Sequence, residues 1–228
     1  MDAFISYSTR DKQSAHETKK ALTNAGFSTF LAHDDLQVSE EWRDSIIDEL
    51  KICSIFVVLL SANFKASEWC AQEIGFIVSR PEVLVVPLSL DGTVSFGFIS
   101  KLQSKRIHSD DQIAEVLHGV LLKKRPHMTI PRWIKRVENA RSFRGAEAIV
   151  KPLVPLFPVF TSDEITAFLE AALANSQVWD AGDCTADYLP AFARMHWAKI
   201  AKKHRKELLK KVQITKAEMK ALEDVAGA

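Results

Sequence analysis

Three cysteines in 228 residues leave little material for a covalent framework. Cys53, Cys70 and Cys184 are odd in number, lack C-x-x-C spacing and sit among apolar or helix-forming neighbours, which argues against a disulfide scaffold and a structural zinc site. Reduced thiols in a cytoplasmic protein are the expectation. Long apolar runs are missing too: the longest, Ile55 to Leu60, falls far short of the roughly 20 residues that a membrane-crossing helix needs. The N-terminus lacks the basic, apolar, small-residue order of a signal peptide. Nor does one sign of charge prevail. Lys and Arg number 30 and Asp and Glu 29, and a formal net charge of +1 gives no global reason to expect nucleic acid or an anionic membrane as partner. No G-x-G-x-x-G follows the first apolar run and no G-x-x-x-x-G-K-[ST] occurs, so the usual dinucleotide cradle and the phosphate loop are absent.

What is present is ordinary for a globular chain, 47% hydrophobic and 26% charged, with length for one large domain or two small ones. The charge is unevenly spread. Residues 1 to 108 carry 11 basic and 14 acidic side chains, and residues 109 to 228 carry 19 and 15, so the two parts are candidates for different tasks.

The first part alternates between two periodicities. Ala3 to Tyr7 reads as a strand followed by the polar loop Ser8 to Lys12. From Asp11, residues Ala15, Thr18, Leu22 and Ala25 recur at helical spacing, and Gly26 stands where a C-terminal cap belongs. Phe27 to Leu31 is a second strand. A polar loop, Ala32 to Ser39, leads to a helix capped by Ser39, with a buried stripe of Trp42, Ile46, Ile47 and Leu50. Ser54 to Leu60 is a continuous apolar run, the mark of a strand covered on both faces, and is assigned the centre of the sheet. After Ser61 to Ser67 a helix runs from about Glu68 to Ser79. Val83 to Leu88 and Lys105 to His108 supply two more strands, and Ile113, Val116, Leu117 and Leu121 mark a closing helix. This alternation predicts an α/β fold, a doubly wound five-stranded parallel sheet of the flavodoxin-like kind.

Ligands of such sheets bind beyond the carboxyl ends of the strands, which directs attention to the loops Ser8 to Lys12, Ala32 to Ser39 and Ser61 to Ser67. A phosphoryl-accepting receiver would place acidic residues after the first and third strands. Ser6-Tyr7-Ser8 and Leu60-Ser61-Ala62 stand there instead.

Four segments, Phe4 to Ser8 (FISYS), Ala32 to Trp42 (AHDDLQVSEEW), Ile55 to Phe64 (IFVVLLSANF) and Glu68 to Gly75 (EWCAQEIG), resemble in order and spacing the conserved segments of Toll/interleukin-1 receptor (TIR) domains. The resemblance covers about residues 1 to 124 and is nearer the free-standing prokaryotic type than the animal receptor adaptors. It implies an NAD nucleosidase that splits the nicotinamide–ribose bond, giving nicotinamide and ADP-ribose or a cyclic or conjugated ADP-ribose signal, with a place in antiviral defence. The essential acidic residue of catalytic members lies in a W-x-x-x-E arrangement, here Trp69 to Glu73, so the resemblance assigns Glu73 as catalytic residue. It further implies that Tyr7, Ser8 and Thr9 face the nicotinamide end, that Ala32 to Ser39 is the BB loop gating the pocket and mediating assembly, and that Trp69 is a pocket wall. Some catalytic members carry arginines just after the first strand; Ser8 and Thr9 stand there in this chain.

One carboxylate suits this chemistry. Nicotinamide in NAD is already a cationic leaving group needing no general acid, and the barrier lies in an oxocarbenium-like ribose that a preorganised anion stabilises. Plainer readings stand beside each assignment: a solvated helical Glu for Glu73, a core residue for Trp69, a surface turn for Asp34, Asp35 and Leu36, which otherwise contact substrate, and no specific role for His33. No metal and no cofactor is expected; NAD is substrate. The expected partners are further copies through TIR–TIR contacts and a protein trigger or effector. The alternative is a non-catalytic TIR scaffold signalling by assembly, and nucleoside ribosyl transfer is a third reading.

Lys123-Lys124-Arg125-Pro126 closes the α/β pattern, so the TIR domain is assigned to 1–124 and a helical C-terminal domain, sensor or assembly module, to 125–228. Pro131 to Glu147 carries Trp133, Ile134, Val137 and Ala140 at helical spacing, and Pro152, Pro155 and Pro158 are expected to interrupt any regular element. Thr161 to Glu164 reads as a capping box opening a helix from Ser162 to about Ala174, with Phe160 and Ile165 as its hydrophobic staple. Tyr188 to Lys211 is a further helix, with Leu189, Phe192, Met195 or His196, and Ile200 inward. Its basic end (Lys199, Lys202, Lys203, Arg205, Lys206, Lys210, Lys211) reads as a solvated face, with an acidic protein partner or neutralisation of the acidic part as alternatives. The run lacks interleaved aromatics, so nucleic acid is not expected.

Overall fold

β1 (Ala3–Ser6) is buried at every position because it lies inside a sheet rather than at its edge. In this computed structural model, which describes residues 1–31 and 40–212, the chain divides into two units, one ending at Val120 and one starting at Leu121.

In the first unit a short 3-10 turn (Thr9–Asp11) leads into α1 (Lys12–Asn24), whose buried residues are Ala15, Thr18, Ala21 and Leu22. Gly26 ends the helix with φ +83°, donating to the Thr23 carbonyl at 2.9 Å while Phe27 N–H reaches the Leu22 carbonyl at 3.0 Å. That paired closure satisfies two last-turn carbonyls and needs the left-handed backbone that glycine tolerates. It also consumes Phe27, so β2 spans Thr29–Leu31 instead of starting at Phe27.

α2 (Glu40–Ile52) buries Ile46 and Leu50 and half-buries Ile47; Ser39 lies outside the described residues, as does the side chain of Trp42. β3 (Ile55–Leu60) is buried throughout, α3 (Ala62–Lys65) is one turn capped by Ser61, and α4 (Glu68–Ile77) is capped by Ser67. β4 (Leu84–Ser89), β5 (Lys105–Arg106) and α5 (Gln112–Lys124) complete the alternation.

All strand pairs are parallel, in the order β2-β1-β3-β4-β5, so β3 is central as its unbroken apolar run implies. Order reverses between β1 and β3, which places the binding crevice at the carboxyl ends of those two strands. Register puts Phe4 opposite both Phe30 and Phe56, and the rings meet at 5.3 and 5.5 Å. Ile46 and Leu50 of α2 and Cys70, Ile74 and Ile77 of α4 belong to the same core cluster. Each such buried aromatic contributes about 1.5–3 kcal/mol relative to exposure.

The second unit is helical. α6 (Pro126–Glu138) starts at Pro126, five residues ahead of the expected stretch, because a proline at the first helical position forfeits no intrahelical bond. It ends at Glu138, and Ser142 caps a separate helix, α7 (Phe143–Val150). The expected interruption at Pro152, Pro155 and Pro158 is corrected: Lys151–Val159 is a 3-10 helix. Prolines every third residue match its period of three, so all three fall on one exposed edge while Leu153 and Phe157 turn inward.

α8 (Ser162–Ala174) opens with the anticipated capping box. Glu164 N–H donates to Thr161 Oγ1 at 3.3 Å, and Thr161 N–H donates to Glu164 Oε2 at 2.8 Å. Its stripe of Ile165, Phe168, Leu169, Ala172 and Leu173 is buried, with Phe157, Phe160 and Phe192 packed on Phe168. A one-turn helix, α9 (Ser176–Trp179), follows. The single helix expected over Tyr188 to Lys211 is instead a π-turn (Cys184–Tyr188), α10 (Leu189–His196), a 3-10 turn (Trp197–Lys199) and α11 (Lys202–Lys211). Of Met195 and His196, His196 is the inward residue, its Nε2 lying 2.9 Å from the Phe157 carbonyl oxygen.

The basic end is partly spent within this unit. Lys211 donates to the Leu173 carbonyl at 2.7 Å, at the C-terminus of α8, and lies over the Trp179 ring; Arg205 donates to the Ile200 carbonyl at 2.8 Å; Lys203 pairs with Glu170 at 3.4 Å. Cations at helix ends offset the partial negative charge of unpaired carbonyls. Among the described residues no helix is long and apolar enough to cross a membrane.

Candidate functional site

α4 buries Cys70, Glu73, Ile74 and Ile77, so the acidic side chain occupies a position of the helix's core stripe. Glu73 is only 2% exposed. Two residues on from Phe4, on the same face of β1 by the strand period, Ser6 is fully buried and its Oγ donates a short hydrogen bond to Glu73 Oε2. The other oxygen, Oε1, is buried and has no hydrogen-bond partner among the described residues. A buried unsatisfied acceptor costs about 1–3 kcal/mol, and more when charged.

Burial pushes the Glu73 carboxyl up to about 8, and the Ser6 hydrogen bond offsets only part of that rise. Cys70, one turn before it, donates its thiol to the Tyr7 carbonyl at 3.5 Å; burial and the neighbouring Glu73 push that thiol up to about 12. It is therefore a neutral thiol near neutral pH and no nucleophile.

A cavity of about 170 Å³ lies between α2 and α4. Glu73, Trp69, Gln72 and Phe76 line one side, and Arg43, Ile46, Ile47 and Leu50 the other. Trp69, one helical turn before Glu73, remains 38% exposed, which fits a wall residue better than a core one. The structure thus brings Glu73 and Trp69 to one cavity.

The other assigned residues are disposed differently. Tyr7 is buried and meets α4 through its backbone carbonyl. Ser8 is buried and caps the Thr9–Asp11 turn, accepting from Arg10 N–H at 3.4 Å, while Thr9 is exposed. Asp34, Asp35 and Leu36 lie outside the described residues, with His33. Ser6, Gln72, Phe76 and Arg43 were not among the residues read as site candidates. Ser6 carried the clearest signal, sharing the strand parity of Phe4, yet its meeting with Glu73 depends on tertiary register.

Nearby loops are tied together by carboxylates. Ser61 Oγ donates to Asp11 Oδ2 at 2.5 Å, and Asp91 accepts from Ala62 N–H at 2.8 Å and Thr93 N–H at 2.9 Å; hydrogen bonding from the Thr93 side chain, and then from these two N–H groups, holds its carboxyl down at about 2. Among the described residues no group of three or more His, Cys, Asp or Glu is placed to hold a metal ion.

A parallel sheet in this order, with an acidic residue of the α4 stripe at the crevice end of β1, defines a doubly wound α/β domain whose site holds a buried carboxyl. The family model described as TIR domain matches residues 3–118, and the chain belongs to that family. Among solved structures, the chain is similar to the TIR domain of a Toll-related receptor from the lower metazoan Hydra magnipapillata, at 17% identity and a TM-score of 0.44, over 54% of this chain and 96% of that one. No curated protein matches the chain. No family covers the C-terminal half.

Proposed function

We propose that the TIR domain cleaves the bond between nicotinamide and ribose in NAD, with Glu73 as its catalytic residue. The observation that carries this reading is the Glu73 carboxyl, which is buried, held at one oxygen by Ser6, left at the other without a partner among the described residues, and set in the wall of a cavity it shares with Trp69. A helix stripe built only for stability has no use for an acid there.

Dissociation of neutral nicotinamide leaves positive charge on the ribose, and an anion fixed beforehand in a water-poor site stabilises that charge without reorganising. Deleting a preorganised group of this kind costs about 10²–10³ in rate. Because burial favours the neutral acid, the cationic nicotinamide ring of the substrate would itself draw Glu73 toward its ionised form. The cavity is smaller than the about 300–1,000 Å³ usual for ligand pockets, so it suits a ribose or a nicotinamide ring, with the remainder of the dinucleotide outside it. Trp69 supplies an aromatic face at its mouth. The product is ADP-ribose or a cyclic or conjugated form, according to the acceptor.

The test is nicotinamide release from NAD by the full chain, concentrated or crowded to favour TIR–TIR assembly, compared with Glu73→Ala. Release by the wild type and its loss in the variant support the reading. Release unchanged by the substitution, or none from the assembled wild type, overturns it and leaves signalling by assembly as the alternative.

A further inference from the structure

We infer that Ser6 is a positioning residue for Glu73, fixing one carboxyl oxygen so that the other is presented to the cavity. This rests on the proposed role of Glu73. Ser6 is fully buried in a row otherwise apolar, following Phe4 along β1 and paired in register with Val58. A hydroxyl there is costly unless bonded. Its acceptor is Glu73 Oε2, and with that oxygen held the terminal torsion of the side chain is fixed, which sets the direction of Oε1. The adjoining residue anchors the same helix, since the Tyr7 carbonyl accepts from Cys70. The end of β1 therefore holds α4 at two successive residues and orients its acid.

Among the described residues, the groups around Glu73 leave this task to Ser6. On α4, Cys70 is a neutral thiol. Across the cavity on α2, Arg43 is 63% exposed and paired with Asp44, so its charge is largely screened by water. On β1, Ser6 and Tyr7 are uncharged.

A hydrogen bond to a carboxylate favours its ionised form. Ser6→Ala should therefore raise the Glu73 midpoint by about one pH unit. The direct measurement is a carbon-13 NMR titration of glutamate side-chain carboxyls in the full chain, with Glu73 assigned by the signal lost in Glu73→Gln. Ser6→Ala moves the midpoint upward and Ser6→Thr, which keeps the hydroxyl, restores it; kcat/KM for nicotinamide release shifts alkaline in parallel, about tenfold lower near neutrality. Should Ser6→Ala fail to fold, Ser6→Cys, a weaker donor of similar size, moves the midpoint the same way by less. A midpoint unmoved in these variants overturns the inference. A wild type that releases no nicotinamide defeats the proposed activity alone, because the titration still decides the role of Ser6.

Discussion

At Glu73 a proton is exchanged for stability. The ordinary carboxyl value of 4.5 is raised to about 8 in the folded chain, so between those values the folded state keeps a proton that the unfolded state has released. The contribution is full below the unfolded value and is lost as pH rises through the folded one. Glu73→Gln removes this dependence while keeping an oxygen to accept from Ser6. Urea unfolding near pH 5 and pH 9 should show the variant gaining on the wild type at alkaline pH, by on the order of a few kcal/mol. Parallel profiles would contradict a buried carboxyl that keeps its proton on folding. On the proposed role of Glu73, with the carboxylate as its working form, kcat/KM for nicotinamide release should rise with pH about a midpoint near 8. Glu73 was legible in the sequence from its spacing to Trp69 in a recognisable setting. Ser6 was legible only as an inward position of the first strand, and sheet register and the placement of α4 are what make it a partner of Glu73.

Elements governed by local chemistry were the most legible. The capping box at Thr161 and Glu164 and the Gly26 closure are encoded within five residues, and both form. Thr161→Ala should cost about 1 kcal/mol of stability by denaturant titration. A larger effect is expected at Asn175, which no sequence pattern singled out. Its Nδ2 lies 3.0 Å from each of the Val137, Glu138 and Ala140 carbonyls, and its Oδ1 accepts from Gln177 N–H at 2.9 Å, so it closes α6 and opens α9 together. Asn175→Ala should destabilise by about 2 kcal/mol, read by the same denaturant titration. The prolines of Lys151–Val159 depart from the expected interruption because they break the period of an α-helix, whereas a three-residue period accommodates them. Tyr188 to Lys211 departs from a single helix for the opposite reason: its apolar spacing runs on while Ile200 takes extended backbone, with ψ 128°, between two shorter helices.

On the scale of the whole chain, charge and architecture divide together. The net-acidic part holds the parallel sheet that belongs to the TIR family, and the net-basic part is a helical unit whose cations are partly engaged by its own carbonyls, rings and Glu170. Fold class and the central place of β3 followed from periodicity and its unbroken apolar run. The site depended on what periodicity cannot encode, an acid placed where the pattern calls for a hydrophobe. The central claim is that this acid serves chemistry. Its most direct test is nicotinamide release from NAD by the assembled full chain near pH 8, wild type against Glu73→Gln. The account predicts release by the wild type and a loss of about 10²–10³ in a variant that is folded and, at that pH, more stable. Equal release by both proteins would contradict it.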